Sequence, residues 1–268
     1  MVAVTITSRT NLKIKQARAL RQRKERDVTG LFVVEGITHV AAAIEAGAQV
    51  EYVCYAPDLL TSPFARNLIE RESARGLSCY PTTPDVFESV SEKDNPTGII
   101  AVVHQRPQML EHLAPDTLGV GVALVSPQDP GNIGTILRTI DAVGASGLIL
   151  LDGGADVYHP NAVRASMGAL FSKQVAFATF GEFTHWARQN AYHVIGTSAH
   201  SSGDYRKAHY QFPLILLMGS EQKGLSAEQM SVCNVVVRMP MLGQVSSLNL
   251  AVAAGVMLYE ALAHWKAG

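Results

Sequence analysis

Short apolar runs alternate with longer segments of mixed polarity through the first hundred residues. Such runs predict strands, and the segments between them predict helices. The predicted strands lie at 31–34, 51–55, 77–80 and 98–104, and the predicted helices at 37–46, 63–75 and 83–90. Because strands alternate with helices, the pattern predicts an α/β sandwich over residues 1–105, with a sheet covered by helices.

A second α/β pattern begins near residue 118. Residues 119–125 form a continuous apolar run of the kind expected in parallel sheets. A predicted helix follows at 132–143, with further predicted strands at 147–151, 173–178, 193–197, 214–218 and 235–238. Between the two patterns, residues 106–117 contain Pro107 and Pro115 and few strand-forming residues, which predicts a linker. The second domain is therefore predicted at 118–268.

The last helix of this second domain is apolar on every side. From Leu250 to Tyr259 it carries no charge and no amide side chain. Such a helix is expected to be buried, against its own domain or against a second subunit. The polar residues Ser246, Ser247 and Asn249 stand at its N-terminal end, which is where chemistry is expected.

Two earlier segments have the same design, with polar residues at the end of a buried element. Residues 128–134 open the helix that carries Arg138, and residues 219–225 directly follow the apolar run 214–218. The first of them also suggests a dinucleotide-binding fold. The stretch from Val120 to Asp152 reads as a strand, a glycine-containing turn, a helix and a strand, and it ends in an acidic residue about 20 positions after the turn. The fingerprint G-x-G-x-x-G is missing from this turn, however, so a nicotinamide enzyme is disfavoured.

Composition limits the remaining possibilities. Charged residues make up 17% of the 268 residues, below the quarter that is roughly usual, which favours extensive burial and an apolar subunit interface. No apolar run approaches the roughly 20 residues of a membrane span, so a cytoplasmic protein is expected. Three cysteines at unrelated spacings and nine scattered histidines predict neither a disulfide framework nor a metal site.

The net charge of −1 hides a basic N-terminus. Residues 1–27 contain eight lysines and arginines against Glu25 and Asp27, a net charge of +6. These cations can be the solvated face of a helix or a contact with RNA phosphates. Charge alone does not separate the two interpretations.

Three motifs carry a resemblance to a known family. They are N-x-G-x-x-x-R at 132–138, G-x-E-x-x-G-L at 219–225 and P-M-x-G-x-x-x-S-L-N at 240–249. In this order and spacing they resemble the motifs of the SpoU/TrmH branch of the SPOUT RNA ribose methyltransferases. The resemblance implies a C-terminal α/β SPOUT domain with a trefoil knot, a homodimer, and S-adenosylmethionine as cofactor. Residues 1–105 similarly resemble the small ribosomal-protein-like RNA-binding domain of many rRNA members; periodicity alone predicts an unknotted sheet.

The resemblance also implies the site residues. The catalytic candidates are Asn132, Arg138, Glu221, Ser247 and Asn249. The cofactor candidates are Thr197, Ser198, Leu217, Gly219, Met239, Ser247 and Leu248. Arg138 is expected to stabilise the developing 2′-alkoxide rather than act as the base, since arginine seldom releases its proton.

Each candidate also has a plainer interpretation. Asn132 can be a helix cap, Arg138 a surface arginine, and Glu221 a solvated loop carboxylate. Asn249 needs hydrogen-bond partners in any case, and these can form a purely structural network. A further segment containing Asn161, Arg164 and Ser166 resembles the family segment after the second strand, where Arg164 can contact RNA or a partner subunit.

The sequence thus predicts an S-adenosylmethionine-dependent RNA 2′-O-ribose methyltransferase. Ribosomal RNA is the expected substrate because of the preceding α/β domain. Together with the three motifs, the basic residues within 1–27 are expected to contact RNA phosphates. A tRNA 2′-O-methyltransferase and a non-catalytic RNA-binding protein of the same fold are the alternatives.

Overall fold

A computed structural model describes residues 4–265 of the chain. The chain divides into two compact units. The first comprises the described residues up to Gln105 together with Tyr158–Ser172, and the second comprises Arg106–Val157 and the described residues from Lys173 onward.

The first unit is built on a four-stranded mixed sheet. Its strands are β1 (Leu31–Glu35), β2 (Val50–Tyr55), β3 (Cys79–Pro81) and β4 (Ile99–His104), in the order β1-β4-β2-β3. Its helices before Gln105 are α1 (Leu12–Ala19), α2 (Arg23–Thr29), α3 (Ile37–Glu45), α4 (Pro63–Ala74) and α5 (Pro84–Glu88). Strand β4 is antiparallel to both of its neighbours, whereas β2 and β3 are parallel. The α/β sandwich that the sequence predicts is therefore present, and its sheet is mixed.

Most of the N-terminal cations are engaged within this unit. Arg9 pairs with Asp85, Lys13 lies 4.4 Å from the ring centroid of Tyr52, and Arg18 donates to the Ser89 hydroxyl at 2.8 Å. Arg21 donates to the Ser91 carbonyl. The basic N-terminus therefore fastens α1 and α2 to the rest of the unit, which limits its part in any RNA contact.

Arg26 is the clearest case, because only 1% of its surface is exposed. Its Nη1 donates to the carbonyls of Leu20 and Arg21, both at 2.8 Å. Those carbonyls follow α1 and have no helical partner, so the guanidinium satisfies acceptors that a helix end leaves unpaired.

Arg26→Met is therefore expected to destabilise the protein without weakening RNA binding. The buried Leu20 carbonyl and the partly buried Arg21 carbonyl lose their donor, which costs about 1–3 kcal/mol. Thermal unfolding of the full chain measures this loss, with the exposed Lys15→Met as the matched control. A normal melting temperature together with weakened RNA binding contradicts the structural role.

A segment far along the chain completes the first unit. It contains α7 (Pro160–Ala165) and α8 (Ala169–Ser172). The rings of Tyr158 and Phe171 lie 4.9 Å and 6.2 Å from that of Phe32 on β1. This aromatic cluster explains why the segment belongs to the first unit, whereas the sequence places it inside a catalytic domain running from 118 to 268.

The second unit contains an eight-stranded sheet in which every strand pairing is parallel. Its strands are β5 (Gln108–Met109), β6 (Val120–Val125), β7 (Gly147–Leu151), β8 (Gln174–Ala178), β9 (His193–Thr197), β10 (Gly203–Asp204), β11 (Leu214–Met218) and β12 (Val235–Arg238). The order across the sheet is β10-β12-β9-β11-β6-β7-β8-β5. Its helices are α6 (Pro130–Val143), α9 (Phe180–Gln189), α10 (Ala227–Ser231) and α11 (Leu250–Trp265).

Residues 106–117, which the sequence predicts as a linker, are integrated into this second unit. They contain the edge strand β5 and a 3₁₀ turn at Leu110–His112. Leu110 and Leu113 are buried in the core, and the Leu113 carbonyl accepts a hydrogen bond from the Trp186 indole at 3.0 Å. The prolines shorten the regular structure here, but apolar burial holds the segment in place.

Helix α11 packs against α6 and β11. One face of α11 is buried, but Val252 and Tyr259 remain 53% and 57% exposed. The expectation of complete burial is thus met on one side only within the chain. No helix within residues 4–265 combines the length and apolar character that a membrane span requires.

Candidate active site

The site begins at the N-terminus of α6. Asp129 is the N-cap residue, and its side chain accepts a hydrogen bond from the Gly131 amide at 2.7 Å. Pro130 occupies the first turn, where its missing N–H costs nothing. Because Asp129 supplies the cap, the side chain of Asn132 is available for other partners, and the residue is buried.

Glu221 lies in the loop after β11 and holds the start of α6. Its carboxylate accepts from the Gln128 amide at 3.0 Å, the Asp129 amide at 3.4 Å and the Asn132 side chain at 3.0 Å. Partial burial favours a raised pKa for Glu221, but the hydrogen bonds from Asn132 and from backbone amides outweigh it and lower the pKa. Glu221 is therefore an ionised anchor for the loop and for Asn132.

Asn249 extends this network to the last helix. Its Nδ2 donates to Asn132 Oδ1 at 3.0 Å, and its Oδ1 accepts from the backbone amides of Ala251 and Val252 at 2.8 Å and 3.4 Å. Backbone amides only donate and an ionised carboxylate only accepts, so the orientation of both asparagine side chains is determined. One chain of hydrogen bonds therefore joins the starts of α6 and α11 to the loop after β11.

Arg138 is not part of this network. Six residues along an α-helix turn the side chain by about 240°, so Arg138 and Asn132 point in directions about 120° apart. Arg138 is exposed, on the same side of α6 as Thr135 and Asp141. Within residues 4–265 it makes no hydrogen bond or ion pair that fixes its side chain, which leaves the guanidinium free to meet a substrate or another subunit.

The expected cofactor residues lie at or next to one edge of the sheet. Strands β12, β9 and β11 are neighbours, so the loops that follow them share the carboxyl edge. Thr197 ends β9 and Ser198 follows it, Gly219 follows β11, and Met239 follows β12. Leu217 differs, because it lies within β11 and its side chain is buried in the hydrophobic core.

Gly219 is required by its own loop. A Cβ atom at this position would lie 2.0 Å from the Gly224 carbonyl carbon and 2.3 Å from the Leu225 nitrogen. Those distances exclude any side chain unless the backbone moves. The sequence suggested that Gly219 lets a ligand approach the backbone closely. The structure adds a second requirement, since the backbone of Gly224 and Leu225 leaves no room for a side chain. Gly243, by contrast, has open space around its Cβ position.

The polar groups of the loop from Met239 to Leu248 are available for hydrogen bonds to a ligand. Within the described part of the chain, none of its backbone or side-chain groups makes a hydrogen bond. It is also exposed, with Leu242 98% accessible and Ser247 on the surface. Peptide donors and acceptors beside apolar side chains suit a ligand with a heteroaromatic ring and a ribose, so the residues present fit an adenosyl group.

The arrangement defines a class of protein. An all-parallel α/β domain carries a ligand-binding loop and a hydrogen-bonded polar network at the carboxyl edge of its strands, as expected for an α/β enzyme. Residues 119–259 match the model of the SpoU rRNA Methylase family, and residues 11–101 match that of the MRM3-like substrate binding domain. The chain belongs to the SpoU rRNA methylase family.

Similar proteins cover nearly the whole chain. A 23S rRNA (uridine(2479)-2′-O)-methyltransferase of Streptomyces viridochromogenes is 36% identical, over 96% of this chain and 91% of that protein. The 23S rRNA (guanosine(2553)-2′-O)-methyltransferase RlmP of Bacillus subtilis is 29% identical, over 95% and 98%. The crystal structure of an AdoMet-bound rRNA methyltransferase from Sinorhizobium meliloti has a TM-score of 0.89 at 36% identity, covering 98% of each chain.

The geometry brings together three of the five expected catalytic residues. Asn132, Glu221 and Asn249 are directly connected, while Ser247 lies two residues from Asn249 in the exposed loop and Arg138 is separate. The cap at Asp129 was not anticipated from the sequence. An Asp directly before Pro is a typical start of a helix and is the signal that identifies it.

Proposed function

We propose that this protein transfers a methyl group from S-adenosylmethionine to a ribose 2′-hydroxyl of ribosomal RNA. The observation that carries the proposal is the hydrogen-bonded set of Asn132, Glu221 and Asn249 beside the open loop 239–248. Such a set has specific work to do in an enzyme, whereas a non-catalytic RNA-binding protein has no chemical need for it. The activities named for the S. viridochromogenes and B. subtilis relatives support the same reaction.

The cofactor supplies an electrophilic methyl group on its sulfonium. Thr197, Ser198, Gly219, Met239, Ser247 and Leu248 would hold it, with Leu217 supporting the loop from the core. Their task is to align the methyl donor with the ribose and to exclude competing orientations. The backbone groups of 239–248 would read the adenine and its ribose.

The remaining residues act on the substrate. Asn132 would orient the target ribose, with its side chain held at one end by Glu221 and at the other by Asn249. Arg138 would hold an RNA phosphate and stabilise the negative charge that develops on the 2′-oxygen. The Arg138 side chain has no fixing contact within residues 4–265, as expected for a group that becomes ordered when RNA binds.

Ribosomal RNA is favoured over tRNA because residues 11–101 match a substrate-binding domain and because the full-length relatives act on 23S rRNA. Nucleoside mass spectrometry tests this proposal, after unmodified ribosomal RNA and tRNA are incubated separately with the protein and methyl-labelled S-adenosylmethionine. A labelled 2′-O-methylnucleoside from rRNA is expected. Label confined to tRNA changes the substrate, and no label in either RNA despite cofactor binding contradicts the activity.

We further infer a homodimer in the cytoplasm, with the catalytic domain at 118–268 completed by a trefoil knot. A stripe of α11 formed by the exposed Val252 and Tyr259 and the half-buried Val256 supports the dimer, because apolar residues recur there at helical spacing. The Thr139 methyl group lies 3.9 Å from the Cβ position of Gly255 in α11. Arg138 precedes Thr139, so a subunit on the stripe would approach Arg138.

Val252→Asp is expected to separate the subunits, because the charge loses its water when a partner covers the stripe. Sedimentation at micromolar concentration should show a monomer, and methyl transfer should fall with it. Val28→Asp is the matched control, since Val28 is 76% exposed on α2. A wild-type protein that is active as a monomer contradicts the proposal.

A further inference from the structure

A small cavity in the first unit is surrounded by charged side chains. Its volume is about 30 Å³. Apolar side chains of α1, β1 and α7 form part of its wall, and His39 lines it from α3. The charged residues that face the cavity are Arg21, Glu35, Glu92, Lys93 and Arg164. We call this the basic cavity, because its three cations outnumber its two carboxylates.

Two buried nitrogens beside the basic cavity lack hydrogen-bond partners within residues 4–265. His39 is only 8% exposed, and its Nδ1 is unpaired. The Nε of Arg21 is also buried and makes no hydrogen bond, since its ion-pair contact with the Glu92 carboxylate spans 3.6 Å. Unsatisfied buried polar groups are costly, so the cavity is expected to receive a polar atom from outside the chain.

The two carboxylates are already occupied. Glu35 accepts from the Ser91 hydroxyl at 2.5 Å and from the Glu92 amide at 3.1 Å. Glu92 forms the ion pair with Arg21. Neither carboxylate pairs with Lys93 or Arg164, so these two cations keep their capacity to bind an anion.

Lys93 and Arg164 are therefore the available cations of the basic cavity. Arg164 donates from Nη2 to the neutral side chain of Asn161 at 2.7 Å, which orients the guanidinium without neutralising it. The ammonium of Lys93 makes no hydrogen bond or ion pair with the residues that the structure describes. Burial, followed by the charges of Lys93 and Arg164, lowers the pKa of His39, so its imidazole is neutral at pH 7.

We propose that the basic cavity binds a backbone phosphate of the RNA substrate, with Lys93 and Arg164 as its charged ligands. The cavity accommodates one water-sized atom but not a whole phosphate. One non-bridging oxygen would enter next to His39 and Arg21, while the rest of the phosphodiester stays at the rim. Such a contact positions RNA without reading its sequence. The inference rests on the proposed RNA substrate and names a site for it in the first unit.

The test is the salt dependence of RNA binding by the full chain, measured with an unmodified 23S rRNA fragment by fluorescence anisotropy. Lys93→Met and Arg164→Gln are each expected to weaken binding roughly tenfold. Each should also reduce the slope of log K against log salt by about 0.7 to 0.9, as expected for one lost phosphate contact. Lys93→Arg should restore most of the slope, and Arg75→Gln, at an exposed position directly after α4, should leave it unchanged.

Glu92→Gln tests whether the charge of the basic cavity controls the affinity for RNA. Removing a negative charge from the basic cavity should strengthen RNA binding, whereas a purely structural cluster predicts destabilisation with no gain in affinity. Melting temperatures within about 2 °C of the wild type are required of each variant. A Lys93→Met protein with an unchanged salt slope, or a Glu92→Gln protein with weaker binding, overturns the proposal.

Inorganic phosphate distinguishes the two sources of the anion. If millimolar phosphate raises the melting temperature through Lys93 but RNA binding does not depend on Lys93, the cavity binds free phosphate and the RNA assignment is wrong. Methyl transfer is followed in parallel. A wild-type protein that shows the Lys93-dependent slope but forms no labelled nucleoside supports the phosphate site and contradicts only the proposed reaction.

Discussion

Arg138→Ala is expected to lower the rate of methyl transfer on the order of a hundredfold while leaving the fold and cofactor binding intact. Removing one charge that faces a developing alkoxide costs about 3 kcal/mol of transition-state stabilisation. The fold should survive because Arg138 is exposed and makes no fixing contact within residues 4–265. Single-turnover methyl transfer and calorimetric titration with S-adenosylmethionine measure the two properties separately.

Arg188→Ala is the matched control, since Arg188 is an exposed arginine on α9 in the same unit. Arg138→Lys should recover part of the lost rate, because it keeps the charge but not the planar donor geometry. Full activity of Arg138→Ala would remove Arg138 from the mechanism. Loss of cofactor binding in this variant would reassign its effect to the structure of the cofactor site.

Gly219→Ala is expected to damage both stability and activity. The added methyl group would lie 2.0 to 2.3 Å from backbone atoms of Gly224 and Leu225, far inside van der Waals contact. The loop must therefore move, and Glu221, two residues later, would lose its hydrogen bonds to Gln128, Asp129 and Asn132. Overpacking of this kind costs about 1–3 kcal/mol, or roughly 2–4 °C in melting temperature for each kcal/mol.

Gly243→Ala provides an unusually close control. Gly243 lies in the loop after β12 and, like Gly219, belongs to one of the three family motifs, but nothing lies within 4 Å of its Cβ position. The melting temperature of the Gly243→Ala protein should match that of the wild type. Normal melting and normal activity of Gly219→Ala would show that the loop adapts freely and that its geometry does not hold Glu221 in place.

Much of the fold follows from local patterns. The apolar runs at 119–125, 147–151 and 214–218 become buried parallel strands because a strand covered on both faces cannot contain polar side chains. The helices at 37–46 and 63–75 are found within one residue of the predicted ends, Ile37–Glu45 and Pro63–Ala74. Short elements escape prediction, as with β5 at Gln108–Met109, because two residues carry too little pattern.

The candidate active site likewise has a part that the sequence predicts and a part that only the tertiary structure shows. The motifs identify Asn132, Glu221 and Asn249 by residue type and spacing. Their hydrogen bonds join positions that are 89 and 117 residues apart in the chain. Only the order of the strands brings such positions together, so no local pattern contains this information.

The sequence by itself determined that the protein has two α/β domains, an apolar last helix and the three motifs of its family, because burial and turn chemistry are encoded by neighbouring residues. Only the tertiary structure shows which charged side chains are available to bind a ligand. Arg26 is buried against the end of α1, Arg138 is exposed on α6, and Arg164 lines one cavity of the first unit with Lys93 and His39. The reason is physical: whether a charge is paired or available depends on neighbours that folding brings in from distant parts of the chain.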